Sequence, residues 1–497
     1  MKKTGVMLLI FAAIVYSGCR PVVKPGPPPV KIVAIGDSIT MGTQDAGLKE
    51  DFQRHNYPYL IAKQIGNALI YQQPYLNSDS NGIGTPPYKT PLTLSGGTIS
   101  ATYWETGDDM MRYLVDQLSP SIFLPRPFHN LGINGARLFD LRTTTDSTNS
   151  EADGNYFFDL VLRNTLGEII SEIWEIDFYF PEFGTVVQQA ALLNPDYILL
   201  WIGSNDILHV VLNGGGVNGS DFEAGAADPP TAPDDFGNEY SEVLQALSGI
   251  CEGILIVTIP DYLPFVYALD EIADDDGNLC IFDPQTFLPY DFGGGLFIPL
   301  TLEETGAPHL LLSGAIMYMD LEGQGYGLGI PTYSEAQDSG YPGDEDQYTS
   351  ALSSLGLTPP LESKPLPGNF TLTGAEVTKA KEDYIDEYND KIYALSLNPN
   401  YNCTLINISA AWWRDGDFED YSMEYALQDQ EKTAFSLDGV HPNNLGQALC
   451  AQAFIEVLND EYMLGITPID PALYAGQYSG KSIEARGLKA LQKLEEF

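Results

Sequence analysis

Five short apolar runs, at residues 32–35, 128–132, 197–202, 254–259 and 404–408, are separated by long stretches, several of them with helical periodicity. The third (YILLWI) and fourth (ILIVTI) are apolar throughout rather than alternating, as in strands buried on both faces. Residues 57–65 are amphipathic. Residues 185–193 (TVVQQAALL) lead through Asn-Pro into the third run, and 240–246 precede the fourth. In 373–397, Val377, Ala380, Tyr384, Tyr388 and Ile392 recur every three or four residues, behind the capping-box spacing of Thr373 and Glu376. A last helix is expected over 444–458. This alternation predicts an α/β fold, a parallel sheet of about five strands with helices on both faces. In such sheets sites gather at the carboxyl ends of the strands.

The material between these elements is long. Residues 72–125, 214–237 and 263–372 are rich in Gly, Pro, Tyr and Asp and read as insertions into one domain spanning 31–462. The largest carries apolar patches at 296–300 and 310–317, which suits a segment folded over the site end of the sheet or a surface subdomain. Residues 463–497 form a tail, with Lys481, Arg486, Lys489 and Lys493 basic on an otherwise acidic chain.

Charge narrows the partners. The chain has 24 Lys+Arg against 68 Asp+Glu, a net of −44, and no Lys or Arg between Asn164 and Ser363. Such a surface repels phosphate backbones, so no nucleic-acid partner is expected. The cation-free stretch offers no guanidinium fork for an anionic ligand and suits a neutral substrate or a cation. An acidic surface that only aids solubility fits equally well.

At the N-terminus, Lys2-Lys3 precede a ten-residue apolar run (6–15) too short to span a bilayer, followed by Ser17-Gly18-Cys19. Small residues before a cysteine resemble the bacterial lipoprotein processing site. Residues 1–19 are therefore expected to be a signal segment ending at a lipidated Cys19. Residues 20–30 (RPVVKPGPPPV) are expected to be an extended Pro-rich tether. This places the chain outside the cytoplasm, as an outer-membrane or cell-surface lipoprotein, or otherwise as a periplasmic or secreted protein. Cys251, Cys280, Cys403 and Cys450 read as disulfide partners or as free thiols. No CxxC pair or His cluster suggests zinc, and no metal or cofactor is expected.

Four polar segments stand at the ends of expected strands or just before the last helix. They are Gly36-Asp37-Ser38, Asn130-Leu-Gly132-Ile-Asn-Gly135, Gly203-Ser-Asn205-Asp206 and Asp438-Gly-Val-His441-Pro-Asn443. The residue types fit acyl transfer. A serine hydroxyl needs a base, and His441 can serve. An imidazole needs its other nitrogen held, and Asp438 lies three residues earlier. A tetrahedral oxyanion needs fixed donors, which the N–H groups of Ser38 and Gly135 and the Asn205 amide can supply. Asp37 and Asp206 read as supporting residues that bond loop backbone. His129 reads as core; His55, His209 and His309 lack carboxylates at a telling spacing. The acidic runs 274–277 and 344–346 miss calcium-loop spacing and read as solvated turns.

These four segments, in this order, resemble the signature blocks of the SGNH (GDSL-type) esterase and lipase family, with GDSI in place of the commoner GDSL. The resemblance implies a flavodoxin-like three-layer α/β/α sandwich. It also implies Ser38 as nucleophile, His441 as base, Asp438 as its orienter, and Ser38, Gly135 and Asn205 as the oxyanion hole. The insertions have no counterpart in the blocks, so the substrate does not follow. A small-molecule or lipid ester is the first expectation. A carbohydrate acetylesterase is the second, with Trp104, Trp412 and Trp413 available to stack on sugars. A non-catalytic surface binding lipoprotein is the third.

Overall fold

The computed structural model describes residues 30–95, 98–106, 109–152, 154–215, 221–222, 226–260, 265–268, 281–282, 310–312, 333, 343–354, 366–367, 371–372, 374–408 and 433–475. The signal segment, Cys19, the Pro-rich tether up to residue 29, Cys280, His309, Trp412, Trp413, the basic tail and most of the insertion at 263–372 lie outside the described residues.

The fold is α/β, built on five parallel strands: β1 (Ile32–Gly36), β2 (Asn130–Gly132), β3 (Tyr197–Trp201), β4 (Gly253–Val257) and β5 (Cys403–Ile406). Their order is β5-β4-β3-β1-β2. From β1 the chain moves to β2 on one side and then back to β3 on the other. The order therefore reverses at β1, which makes the carboxyl ends of β1 and β3 the switch point of the sheet. Register places Gly36 opposite both Gly132 and Trp201, so three strands end side by side.

The helices include α1 (Ser38–Met41), α2 (Tyr57–Ile65), α3 (Phe157–Leu162), α4 (Leu166–Trp174), α5 (Val186–Leu193), α6 (Asn205–Leu212), α7 (Pro233–Ser248), α8 (Asp386–Ser396) and α9 (Asn444–Tyr462). Their ends follow local chemistry. The Asn56 side chain accepts from the Tyr59 N–H to start α2, Pro58 sits in its first turn, and Gly66 at φ 90° ends it. Thr185 and Gln188 form a capping box on α5, and Asn194 in the left-handed region closes it. α7 begins at Pro233, inside the expected 214–237 insertion and ahead of the expected 240–246. The expected helix over 373–397 is a helical run from Gly374 to Ser396, with a π-helical segment at Ala380–Ile385.

Strand side chains alternate between two buried environments. Val33, Ile35, Ile198, Leu200, Ile254 and Ile256 join Val186, Phe236 and Ile392 in the main apolar cluster. Ala34, Leu199 and Leu255, of the other parity, are also fully buried. Tyr57 of α2 stacks on Phe454 of α9 at 4.8 Å and packs against Trp201 at 5.8 Å. Beyond α9, Ile466 and Ile469 are buried, and Asn459 both donates to Ile466 O and accepts from its N–H.

The described parts of the insertions form small pieces of structure. In 72–125, Gly47–Leu48 pairs with Ile83–Gly84, Thr93–Ser95 with Thr98–Ser100, and a helix spans Met110–Gln117. In 263–372, Leu310–Leu312 pairs with Phe265–Ala268 and with Thr371–Leu372. Among the described residues no helix is long and apolar enough to cross a membrane.

Candidate active site

Ser38 begins α1, two residues past the end of β1. Asp37 caps this single turn, its Oδ1 accepting from the Ile39 N–H at 3.0 Å. Gly42, at φ 92°, closes the turn by donating to Ser38 O. The turn lies directly on the strand ends. A Cβ on Gly36 would fall 2.2 Å from both Thr40 Oγ1 and Trp201 O, and one on Gly132 would fall 2.4 Å from Met41 N. Ser38 is left only 6% exposed.

The second segment leaves β2 beside it. The Asn130 side chain accepts from Gly132 N at 2.9 Å and donates to Thr40 O at 2.8 Å, tying β2 to α1. Gly135 sits at φ 76°, a conformation that a side chain disfavours. Next to it, Asn134 donates to Thr85 Oγ1 at 2.7 Å and accepts from Asn155 at 2.7 Å. The third segment leaves β3. Asn205 is the first residue of α6, and its Nδ2 donates to Ala136 O at 2.9 Å, next to Gly135. Asp206 is buried. It accepts from the Leu138 N–H at 3.0 Å and from the Thr231 hydroxyl at 2.7 Å.

The fourth segment precedes α9. His441 Nδ1 lies 2.8 Å from Asp438 Oδ2, and Oδ1 of the same carboxylate accepts from His441 N and Val440 N at 2.9 Å each. Ser436 donates to Oδ1 at 2.9 Å and Ala46 N to Oδ2 at 2.5 Å. The Ala46 bond crosses to the chain just after Ser38, and it has company. Asp45 N donates to Ser436 Oγ, Leu437 N donates to Asp45 Oδ1, and Gln44 donates to Asn444. Gln447 of α9 accepts from Tyr57 N at 2.8 Å and donates to Ile39 O at 3.1 Å. The histidine loop is thus stitched to the serine loop, although the two are about four hundred residues apart in sequence. No hydrogen bond joins the Ser38 hydroxyl to His441; the shared scaffold relates them.

Electrostatics separates the acids. Burial pushes Asp438 up, but the charge and hydrogen bond of His441, with the His441 and Ala46 N–H groups, bring it from 3.8 down to about 2. Burial pulls His441 down, yet Asp438, with Asp37 and Asp45 behind it, outweighs this and leaves the imidazole above its ordinary value. Burial raises Asp37 to about 6 against the Ile39 N–H and His441, and one of its oxygens has no partner. Burial also raises Asp206 to about 7, against the Thr231 hydroxyl, the Leu138 N–H and Arg137. At neutral pH Asp438 is therefore the firmly ionised acid beside His441.

Three features escape the sequence pattern. Arg137, two residues past Gly135, is buried and forks onto Asp228 with bonds of 2.9 and 2.8 Å. His209 does face a carboxylate, its Nε2 lying 3.6 Å from Asp228 Oδ1, while Nδ1 is 2.9 Å from Asn205 O. His55 is 3.5 Å from Asp51. His55 thus does have a carboxylate at a readable spacing, four residues before it, whereas Asp228 stands 19 residues from His209 and leaves no spacing signal. His129, expected in the core, is half-buried. It accepts from Gln72 N through Nδ1, stacks on Tyr71, and is lowered to about 4, chiefly by burial. Cys251, Cys403 and Cys450 are free thiols. Among the described residues no cluster of His, Cys, Asp and Glu could hold a metal ion. No family model, curated protein or solved structure matches the chain.

Proposed function

We propose that the chain is an exported serine ester hydrolase of the SGNH type, with a flavodoxin-like three-layer sandwich and an N-terminal lipid anchor at Cys19. The observation that carries this reading is the 2.8 Å pair of His441 Nδ1 and Asp438 Oδ2, fastened by Ala46 and Gln447 to the loop that bears Ser38. Ser38 Oγ attacks the ester carbonyl while His441 Nε2 takes its proton. Asp438 keeps the proton of Nδ1 in place and stabilises the imidazolium. The N–H groups of Ser38 and Gly135 and the second proton of Asn205 Nδ2 receive the oxyanion; the first is engaged with Ala136 O. His441 returns the proton to the leaving alcohol, then activates a water that releases the acid from Ser38. Asp37 and Asp206 hold backbone around the site. No metal or cofactor takes part. The Ser38–His441 hydrogen bond forms on substrate binding, since such bonds are often long before it.

Short p-nitrophenyl esters test this. Activity abolished in Ser38→Ala and unaffected by chelator supports it; equal activity in Ser38→Ala contradicts it. A carbohydrate acetylesterase is favoured by one observation. The rings of Tyr88 and Tyr103 pair at 5.5 Å on the segment whose Thr85 bonds Asn134, and Tyr103 is exposed. Acetate release from an acetylated glycan, without hydrolysis of longer acyl esters, would select it.

A further inference from the structure

Between Asn164 and Ser363 the chain has no cation of its own, so an acid there must find one elsewhere. Asp228 finds Arg137. The fork of two bonds, 2.9 and 2.8 Å, is the bidentate geometry that fixes direction as well as distance. Arg137 is buried, while Asp228 is 60% exposed at its side chain. Glu151 stands 3.6 Å from the same guanidinium.

The residues after Asp228 are equally constrained. Pro229 and Pro230 have fixed φ and stiffen the backbone. Thr231 then bonds α6 twice at Asp206, N–H to O at 2.9 Å and hydroxyl to Oδ1 at 2.7 Å. Residues 228–231 therefore form a short stiff strap. One end holds Arg137, two residues from Gly135; the other holds Asp206, adjacent to Asn205. A third tie runs from Asp228 to α6, because His209 Nε2 is 3.1 Å from Asp228 O.

We propose that Asp228 is a positioning residue, which through Arg137 sets the turn of Gly135 against the start of α6 so that the Gly135 N–H and the Asn205 amide converge on one point. This deepens the esterase reading and rests on it. It also gives the second insertion a role in catalysis. The strap reinforces the Asn205–Ala136 and Asp206–Leu138 bonds, which also bear on the spacing of the two donors. A misplacement of about 1 Å in such a group costs on the order of 100-fold in rate.

The test uses the full chain, the p-nitrophenyl ester that it hydrolyses fastest, and the variants Asp228→Asn, Asp228→Glu, Arg137→Lys and the double variant Asp228→Asn/Arg137→Lys. Asp228→Asn is expected to lower kcat by about 10- to 100-fold with KM changed less than about threefold and an unchanged melting temperature. Asp228→Glu is expected to recover part of the loss. The double variant should be no slower than the worse single variant, because both break one contact. If Asp228→Asn proves unstable, Arg137→Lys, which keeps the charge and loses the fork, gives the same readout. Full kcat in a folded Asp228→Asn, or a rise in KM with kcat kept, overturns the proposal while leaving the esterase reading intact. A wild-type chain as inactive as Ser38→Ala sinks the reading itself and the proposal with it.

Discussion

Asp438 holds His441 twice, through Oδ2 to the ring at 2.8 Å and through Oδ1 to the backbone N–H at 2.9 Å. One carboxylate thereby fixes both the rotamer and the loop of the histidine. Asp438→Asn keeps the shape but turns an NH2 toward donors. It is expected to lower kcat by about 10³- to 10⁴-fold and to destabilise the fold by about 1–3 kcal/mol, the cost of buried donors left unpaired. Steady-state kinetics and urea unfolding of the purified variant check both. A variant with near wild-type kcat would remove Asp438 from the mechanism.

The pH dependence has a defined sign. His441 must be neutral to accept the Ser38 proton, and Asp438 raises its pKa above 6.5. The acidic limb of kcat/KM should therefore lie above 6.5, and the residual activity of Asp438→Asn should show that limb moved down, because burial then acts with less opposition. Stability follows the same pair. The lowered carboxyl contributes above 3.8 and loses this as pH falls toward 2. The raised imidazole contributes below 6.5 and loses this as pH rises through its folded value. The melting-temperature gap between wild type and Asp438→Asn should be widest between 3.8 and 6.5. A gap that does not change with pH would contradict the ion pair.

Asp206 behaves in the opposite sense to Asp438. Its folded value of about 7 lies above the ordinary 3.8, so its contribution is present below 3.8 and is lost as pH rises through about 7. Asp206→Asn can keep the Leu138 bond through its carbonyl oxygen and let the Thr231 hydroxyl rotate to accept. Relative to wild type, its melting temperature should be more favourable at about pH 8 than at about pH 5. An equal difference at both pH values would show that Asp206 is not held above its ordinary range.

The sequence exposes those parts whose signal is local. α2 matches residues 57–65 because Asn56, Pro58 and Gly66 mark its ends, and β1 to β4 appear because fully buried apolar runs need no partner to be recognised; β5 is half-buried over three of its four residues. The last helix, expected over 444–458, runs on to Tyr462, since no breaker intervenes before Met463. α3 lacks a clear pattern, because Phe157–Leu162 is buried on all its residues, which removes the polar face that periodicity needs, whereas α4 does carry Leu166, Ile169, Ile170 and Ile173 at helical spacing. At the site, the Asp438–His441 pair is legible from its spacing of three. Arg137–Asp228 is not, because its partners are 91 residues apart and their meeting depends on how α6 and the Gly135 turn pack.

Close packing at the strand ends predicts a large effect from one methyl group. Gly36→Ala would place its Cβ 2.2 Å from Trp201 O and from Thr40 Oγ1, displacing α1 and Ser38 with it. A loss of about 3 kcal/mol, the upper end of the usual cost of overpacking, is expected in urea unfolding, together with loss of hydrolysis. A stable, active Gly36→Ala would mean that α1 does not sit this tightly on β1.

Nucleophilicity of Ser38 in the folded chain is most directly read by reaction with a fluorophosphonate followed by peptide mass mapping. One adduct on Ser38 is expected, slowed strongly in His441→Ala and absent after denaturation. An adduct elsewhere, or none on Ser38 in folded protein, would contradict the account.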